Sequence, residues 1–336
     1  MSPFRLPAVV AAVVAAGLLG ACGGSTPDPA PSSRSATAGA TAAAPLGSPD
    51  DQKVLDGITV TGGGGQAPPT ITLASTPVSV GSTSRRVLQP GTGAASTKDA
   101  FVKTQLTLVL GKDGKVLNTT YGQGGAQTFL LSDTTTIKGL TAGLTDVQGG
   151  SRVLLVIPPA DGFGAAGRAD LGVSGTDNLV LVADVASVAI PLKAAEGTDI
   201  APAPGLPTVT FDPTKGPTIT VPSGASAPEG TVVQPLVKGS GPALAAGQLV
   251  RVHYTGALWK DGSVFDSSWT RGTPFDFTIG EGKVIKAWDT SLVGVTVGSR
   301  VVLVVPPKDG YGDAGSPPKI AGTDTLVFVI DILAAA

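Results

Sequence analysis

Between Val250 and Trp288 the chain gathers Tyr254, Trp259, Phe265, Trp269, Phe275, Phe277 and Trp288, with Tyr311 and Phe328 following. Aromatic residues make up 4% of the 336 positions, so this concentration belongs to the stretch and is not background. The chain has one histidine, His253, and one cysteine, Cys22. No metal cluster can be assembled from them, and neither can a Ser/His or Cys/His nucleophile pair. The rings are read as lining a hollow between a small antiparallel sheet and one short helix.

The elements that would hold such a hollow can be read in outline. Val250, Val252 and Tyr254 alternate, which points one side of a strand inward. Lys260-Asp261-Gly262 has the Asp-Gly step that a tight hairpin turn requires. Val284 to Leu292 carries the apolar spacing of a short helix. Val-dense runs such as Arg300 to Val305 and Leu326 to Ile330, bounded by Gly and Pro, fit strands. The expected class is mainly β (α+β), with curled antiparallel sheets of about five strands, each over one short helix.

Several pieces recur in a fixed order: HYTG at His253 to Gly256, FDSS at Phe265 to Ser268, and Arg271 followed by Thr273-Pro274-Phe275. Val284-Ile285 then stands just ahead of Trp288, followed by GSRVVLVVPP at Gly298 to Pro307, Tyr311-Gly312 and Thr325-Leu326-Val327-Phe328. From about Val232 to Leu333 this set resembles the FKBP-type (macrolide-binding) peptidyl-prolyl cis-trans isomerases. The resemblance implies that Trp288 is the floor under a proline ring, with Tyr254, Phe265, Phe275 and Phe328 around it and Val284 and Ile285 at the rim. It implies that the Ile285 N–H and the Tyr311 hydroxyl bind substrate carbonyls. Asp266 would be the polar group of the pocket, held by Arg271 and Tyr254, with Ile320 as further support. No cofactor or metal is implied. The partners would be proline-containing unfolded or exported proteins, and macrolide ligands. Two departures bear on preference: Lys283 precedes the Val-Ile pair where relatives often carry an acid, and the loop Gly312 to Pro318 lacks a histidine that relatives often have there. Phe277 reads as core, and Trp259 and Trp269 are left without a role. His253 alternates away from Tyr254 and is expected at the surface.

The chain also repeats itself. Lys112-Asp113-Gly114 matches Lys260-Asp261-Gly262, and Gly150-Ser151-Arg152-Val153 matches Gly298-Ser299-Arg300-Val301, both at an offset of 148 (260 − 112 and 298 − 150). Pro69-Thr70-Ile71-Thr72 against Pro217-Thr218-Ile219-Thr220 keeps the offset, and after Gly167 it slips by one. Two copies of one domain are expected at 51–193 and 208–336, each preceded by a strand-like arm, with an Ala/Pro/Gly-rich linker at 194–207. The copies differ in chemistry. Tyr254, Phe265, Asp266, Arg271, Phe275, Val284 and Trp288 have Leu106, Leu117, Asn118, Gln123, Gln127, Thr136 and Leu140 as counterparts, while Ile285 is kept as Ile137 and Tyr311 becomes Phe163. The first copy is expected to keep the fold and lose the site.

Ahead of these domains, residues 1–21 read as a signal peptide: Arg5, then an apolar run from Ala8 to Leu19 that is too short for a good membrane span. Leu19-Gly20-Ala21-Cys22 resembles the bacterial lipobox, which implies lipidation of Cys22 and an extracytoplasmic protein anchored in the cell membrane. Residues 22–50, nearly free of large apolar side chains, read as a disordered tether. A net charge of −2 with no basic run argues against nucleic acid as a partner. The same residues leave open a module that binds clients or a partner without turnover, as a chaperone or a partner-binding lipoprotein would.

Overall fold

The computed structural model describes residues 43–336 apart from 66, 123 and 124. Cys22, the signal peptide, most of the expected tether and Gln123 therefore lie outside the described residues. Two sheets organise the rest, one per sequence repeat. In the second domain the strands Leu249–Leu258, Leu326–Ala335, Arg300–Val305 and Val232–Lys238 lie side by side, all antiparallel. The segment facing Leu249–Leu258 on its other edge is split into Val264–Ser267 and Phe275–Thr278 by the short helix Ser268–Arg271. In the first domain Phe101–Leu110, Leu179–Ala189, Arg152–Ile157 and Ser84–Gln89 repeat the arrangement, edged by Val116–Thr119 and Gln127–Leu130.

Both faces of each sheet are covered, which is why the central strands read as nearly unbroken Val, Ile and Leu. Along Arg300–Val305 the side chains of Val301, Leu303 and Val305 point to one core and those of Val302 and Val304 to another. The first core packs against the short helix Lys286–Ser291 and takes in Val250, Val252 and Tyr254, the alternating set expected to face inward. The second packs under a hairpin, Thr208–Asp212 with Gly216–Thr220, through Ile219, Val209 and Trp259. The first domain has the same two layers: the helix Lys138–Leu144 on one side, and the hairpin Ile58–Gly64 with Ala67–Leu73 on the other. The arms seen in the sequence are thus outer lids on the sheets, and burying valines on two faces at ~25 cal/mol per Å² makes them part of each core.

Three boundary and surface expectations are corrected. The first domain begins before residue 51: Ser48 caps the helix Pro49–Asp56, with its Oγ accepting from Asp51 N–H at 3.1 Å and Asp51 Oδ2 accepting from Ser48 N–H at 3.2 Å. Leu46 bridges to Arg85, so the last residues assigned to the tether are folded. The 194–207 segment is not a free linker either. Glu196 N–H donates to Gly298 at 2.9 Å, Ala195 N–H to Asp331 Oδ2 at 2.9 Å, and Thr198–Asp199 pairs with Val232–Lys238. Its small residues left the backbone donors and acceptors free to join the neighbouring sheet. With Thr198–Asp199 added and one edge split, the second sheet has seven strands and the first has six, more than the five expected.

His253 is the third. It does leave the Tyr254 face, but the arm hairpin covers the face it enters. Its ring stacks on Trp269 at 4.1 Å between centroids, and its Nδ1 meets Ser268 Oγ at 2.8 Å. Phe211 of the hairpin meets Trp269 edge-on at 5.4 Å, and the Arg300 guanidinium lies 3.6 Å over Phe211 while pairing with Asp331. Trp269 thus anchors the hairpin to the sheet. Trp259 does so at the other end, its Nε1 donating to Ala225 O at 3.1 Å. The two domains touch at Arg251, which pairs with Asp276, donates to Asp99 O at 3.2 Å and lies 5.3 Å over the Phe101 ring.

Candidate active site in the second domain

Trp288 is set by the helix Lys286–Ser291, which ends the loop 279–285 and packs its buried side, Ala287 and Trp288, onto the sheet. Around the indole stand Tyr254 at 5.2 Å, Phe328 at 5.3 Å, Phe277 at 5.7 Å and Phe275 at 6.3 Å, three of them edge-on. Phe265 meets Phe328 edge-on at 5.6 Å. Such pairs contribute about 0.5–1.5 kcal/mol each beyond area burial, so the ring cluster stiffens its own walls. Gly256 is what lets the rings close: a Cβ there would lie 2.5 Å from Phe265 Cζ and 2.9 Å from Phe328 Cε1. Phe277 is 5% exposed and belongs to the core, as its reading required.

These rings border a cavity of about 510 Å³, lined by Tyr254, Phe265, Asp266, Phe275, Val284, Ile285, Trp288, Tyr311 and Phe328, together with Lys283, Lys286 and Gly310. Arg271 does not line it but organises its polar wall. The Tyr254 hydroxyl donates to Asp266 Oδ2, Arg271 Nη1 donates to Asp266 Oδ1, and Arg271 Nη2 donates to the Tyr254 oxygen at 3.1 Å. The guanidinium also lies 5.5 Å over the Tyr254 ring. Burial first, and then the hydrogen bond to Asp266, push the Tyr254 hydroxyl pKa up, so it stays a donor. Ser268, buried between the layers, holds the Tyr254 backbone: its Oγ accepts from Tyr254 N–H at 2.8 Å.

Ile285 and Tyr311, on the cavity wall, are left with unused donors. Ile285 precedes the helix in an extended conformation, and its N–H has no acceptor among the described residues. Tyr311 is 41% exposed, its hydroxyl makes no hydrogen bond to any described residue, and burial followed by the charge of Asp266 raises its pKa. The Trp288 Nε1 is buried and likewise unpartnered among the described residues.

Ile320, like Arg271, is an expected site residue that the cavity lining does not include. It is buried in the core, and its backbone pairs with Ser316. The Ser316–Ile320 bridge shapes the turn that carries it, and the direction of its side chain is not encoded by spacing alone. Lys286 and Gly310 were missed. Both flank residues of the motif, and Lys286, in the first turn of the helix, is carried to the rim beside Ile285.

At the matching place the first domain has a hollow bordered by Phe129, Ile137, Leu140 and Phe163, with Thr134 to Thr136 along its edge. Leu140 stands where Trp288 would be, and Leu106 and Leu117 pack into the core in place of Tyr254 and Phe265.

The family model described as FKBP-type peptidyl-prolyl cis-trans isomerase matches residues 93–184 and again 241–333. An "FK506-binding protein" of Streptomyces anulatus is 43% identical over 112 residues, 33% of this chain and 90% of the relative. "Peptidyl-prolyl cis-trans isomerase FKBP15-2" of Arabidopsis thaliana is 51% identical over 88 residues, which span 26% of this chain and only 53% of that protein. The crystal structure of AtFKBP13 is 39% identical over 33% of this chain and 96% of its own, with a TM-score of 0.31. Two matches to one family model, on the two repeats that the structure folds alike, place this chain in the FKBP-type peptidyl-prolyl cis-trans isomerase family as a tandem-domain member.

Proposed function

We propose that the second domain catalyses cis-trans isomerisation of Xaa-Pro bonds and that the first does not. The observation that carries this is the 510 Å³ aromatic cavity with two unused donors, Ile285 N–H and the Tyr311 hydroxyl, on its wall. Rotation about an Xaa-Pro amide is opposed by loss of resonance, and the planar amide is more dipolar than the twisted one. Moving the bond from water into a ring-lined hollow therefore raises the ground state more than the twisted state. In this reading the proline ring rests on Trp288 between Tyr254, Phe275 and Phe328. Ile285 N–H and Tyr311 take the carbonyls on either side, Val284 and Phe265 close the hollow, and Asp266, fixed by Tyr254 and Arg271, orients the reacting amide. No nucleophile or metal takes part.

The clients we assign are unfolded or partly folded exported proteins, for which Xaa-Pro exchange over tens to hundreds of seconds is a bottleneck. The lipobox-like Leu19-Gly20-Ala21-Cys22 supports lipid attachment at Cys22 and a site outside the cytoplasm, held to the cell membrane. Replacement Cys22→Ser should then move the protein from the membrane fraction to the soluble one.

Refolding of a protein limited by a cis-proline is the test of activity. The full chain should accelerate it, and a macrolide inhibitor should abolish the acceleration. Suppressed aggregation without faster refolding would instead mark a client-holding module.

A further inference from the structure

Three charged side chains line the cavity: Asp266, Lys283 and Lys286. Two are matched where they stand. Arg271 pairs with Asp266, and Lys286 Nζ lies 2.8 Å from Asp309 Oδ1, a carboxylate also held by Thr231. Lys283 is exposed and has neither an ion pair nor a hydrogen bond to any described residue. It therefore leaves one unmatched positive charge at the mouth.

The loop that carries Lys283 is tied down. Asp289, on the pocket helix, accepts the backbone N–H of Gly280 at 2.9 Å and that of Gly282. Gly280 and Gly282 both take left-handed backbone angles, φ +82° and +68°, which let the turn fold back onto the helix. Lys283 follows directly and leads into Val284 and Ile285, so its stem starts two residues from the backbone N–H assigned to the substrate carbonyl. Glu281, the nearest acid along the chain, is exposed and does not line the cavity.

We infer that Lys283 makes the second domain favour Xaa-Pro segments bearing an acidic side chain next to the proline, and disfavour those bearing a basic one. This deepens the isomerase reading and rests on it. An exposed charge pair supplies little, so attraction of glutamate and repulsion of lysine together should separate the two by about three- to ten-fold. The preference must also shrink with salt, because the screening length falls from about 10 Å at 0.1 M to about 3 Å at 1 M.

The experiment uses the full chain and proline tetrapeptides with Leu, Glu or Lys immediately before the proline, and a second set with the same residues immediately after it. kcat/KM is measured at low and high salt for the wild type, Lys283→Gln and Lys283→Glu, each value taken relative to the Leu peptide in the same variant. The expected result is a Glu-to-Lys ratio above about three at one position, falling towards one in Lys283→Gln and below one in Lys283→Glu. A wild-type ratio near one at both positions, or a ratio that Lys283→Glu leaves in place, overturns the inference. No acceleration of even the Leu peptide would count against the isomerase reading instead. Fluorescence anisotropy with labelled Glu and Lys peptides then decides the selection by the same ratios.

Discussion

The Tyr254 hydroxyl donates to Asp266, and Arg271 donates to both partners, so the carboxylate on the cavity wall is fixed from two sides. Both Asp266 and Arg271 are well exposed, and their pairing contributes at most about 1 kcal/mol to stability. Its weight lies in orientation. Replacement Asp266→Val should lower kcat/KM by an order of magnitude or more while the thermal midpoint moves little. Leu106→Ala, at the first-domain counterpart of Tyr254, should leave catalysis nearly intact. Equal rates for wild type and Asp266→Val would remove the carboxylate from the mechanism.

Trp288 is the common neighbour of four rings, and truncating it does two things at once. Trp288→Ala should cost about 3–5 kcal/mol of second-domain stability through the cavity it leaves. Trp288→Leu, which copies Leu140 of the first domain, should keep more of that stability and still lose most of the activity. Denaturant midpoints and proline-limited refolding, measured on both variants, separate floor from filler. If Trp288→Leu catalyses as the wild type does, an aromatic floor is not required.

How far the sequence reached is visible in particular residues. Tyr254 was legible through strand alternation and Trp288 through a short helical spacing, while their place around a pocket, and that of Phe328, came from the family resemblance. The repeat offset located both domains. What covers the outer faces of the sheets was not legible: Pro217 to Thr220 read as strand-like, yet nothing local says that Ile219 will lie over Val302 and Val329. That omission misplaced His253, since an outward-pointing residue is at the surface only if nothing packs on that face. The small residues around Ala194 hid a strand for a related reason, because backbone pairing leaves no mark in side-chain composition. Ile320 packs in the core cluster behind the rings and not on the cavity wall, because the direction of a side chain in a loop depends on the turn, not on spacing.

Gly256 is held to its identity by two rings. A methyl group there would sit inside the contact distance of Phe265 and Phe328, both of which have neighbours behind them. Gly256→Ala should therefore destabilise the second domain by about 1–3 kcal/mol and reduce catalysis by spreading the walls. Near-ultraviolet circular dichroism should report the loss of aromatic order. A variant with unchanged midpoint and unchanged activity would show that the rings can move aside freely.

His253 gives the second domain a pH dependence whose sign is fixed by its surroundings. Burial is the main cause that lowers its pKa; Asp331 opposes this, and Arg251 adds to it. The unfolded chain therefore binds a proton to this ring at a higher pH, near 6.5, than the folded chain does. Between the unfolded pKa and the lower folded one the unfolded state holds more protons, so stability falls as pH drops through that window and is fully present above it. Protonation would also challenge the contact of Nδ1 with Ser268 Oγ, the group that accepts from Tyr254 N–H and so holds the pocket wall. Urea midpoints measured from pH 7.5 to pH 5 should decline for the wild type. The decline should flatten in His253→Gln, whose side chain does not titrate. Parallel curves for the two proteins would mean that His253 titrates alike in the folded and unfolded chains.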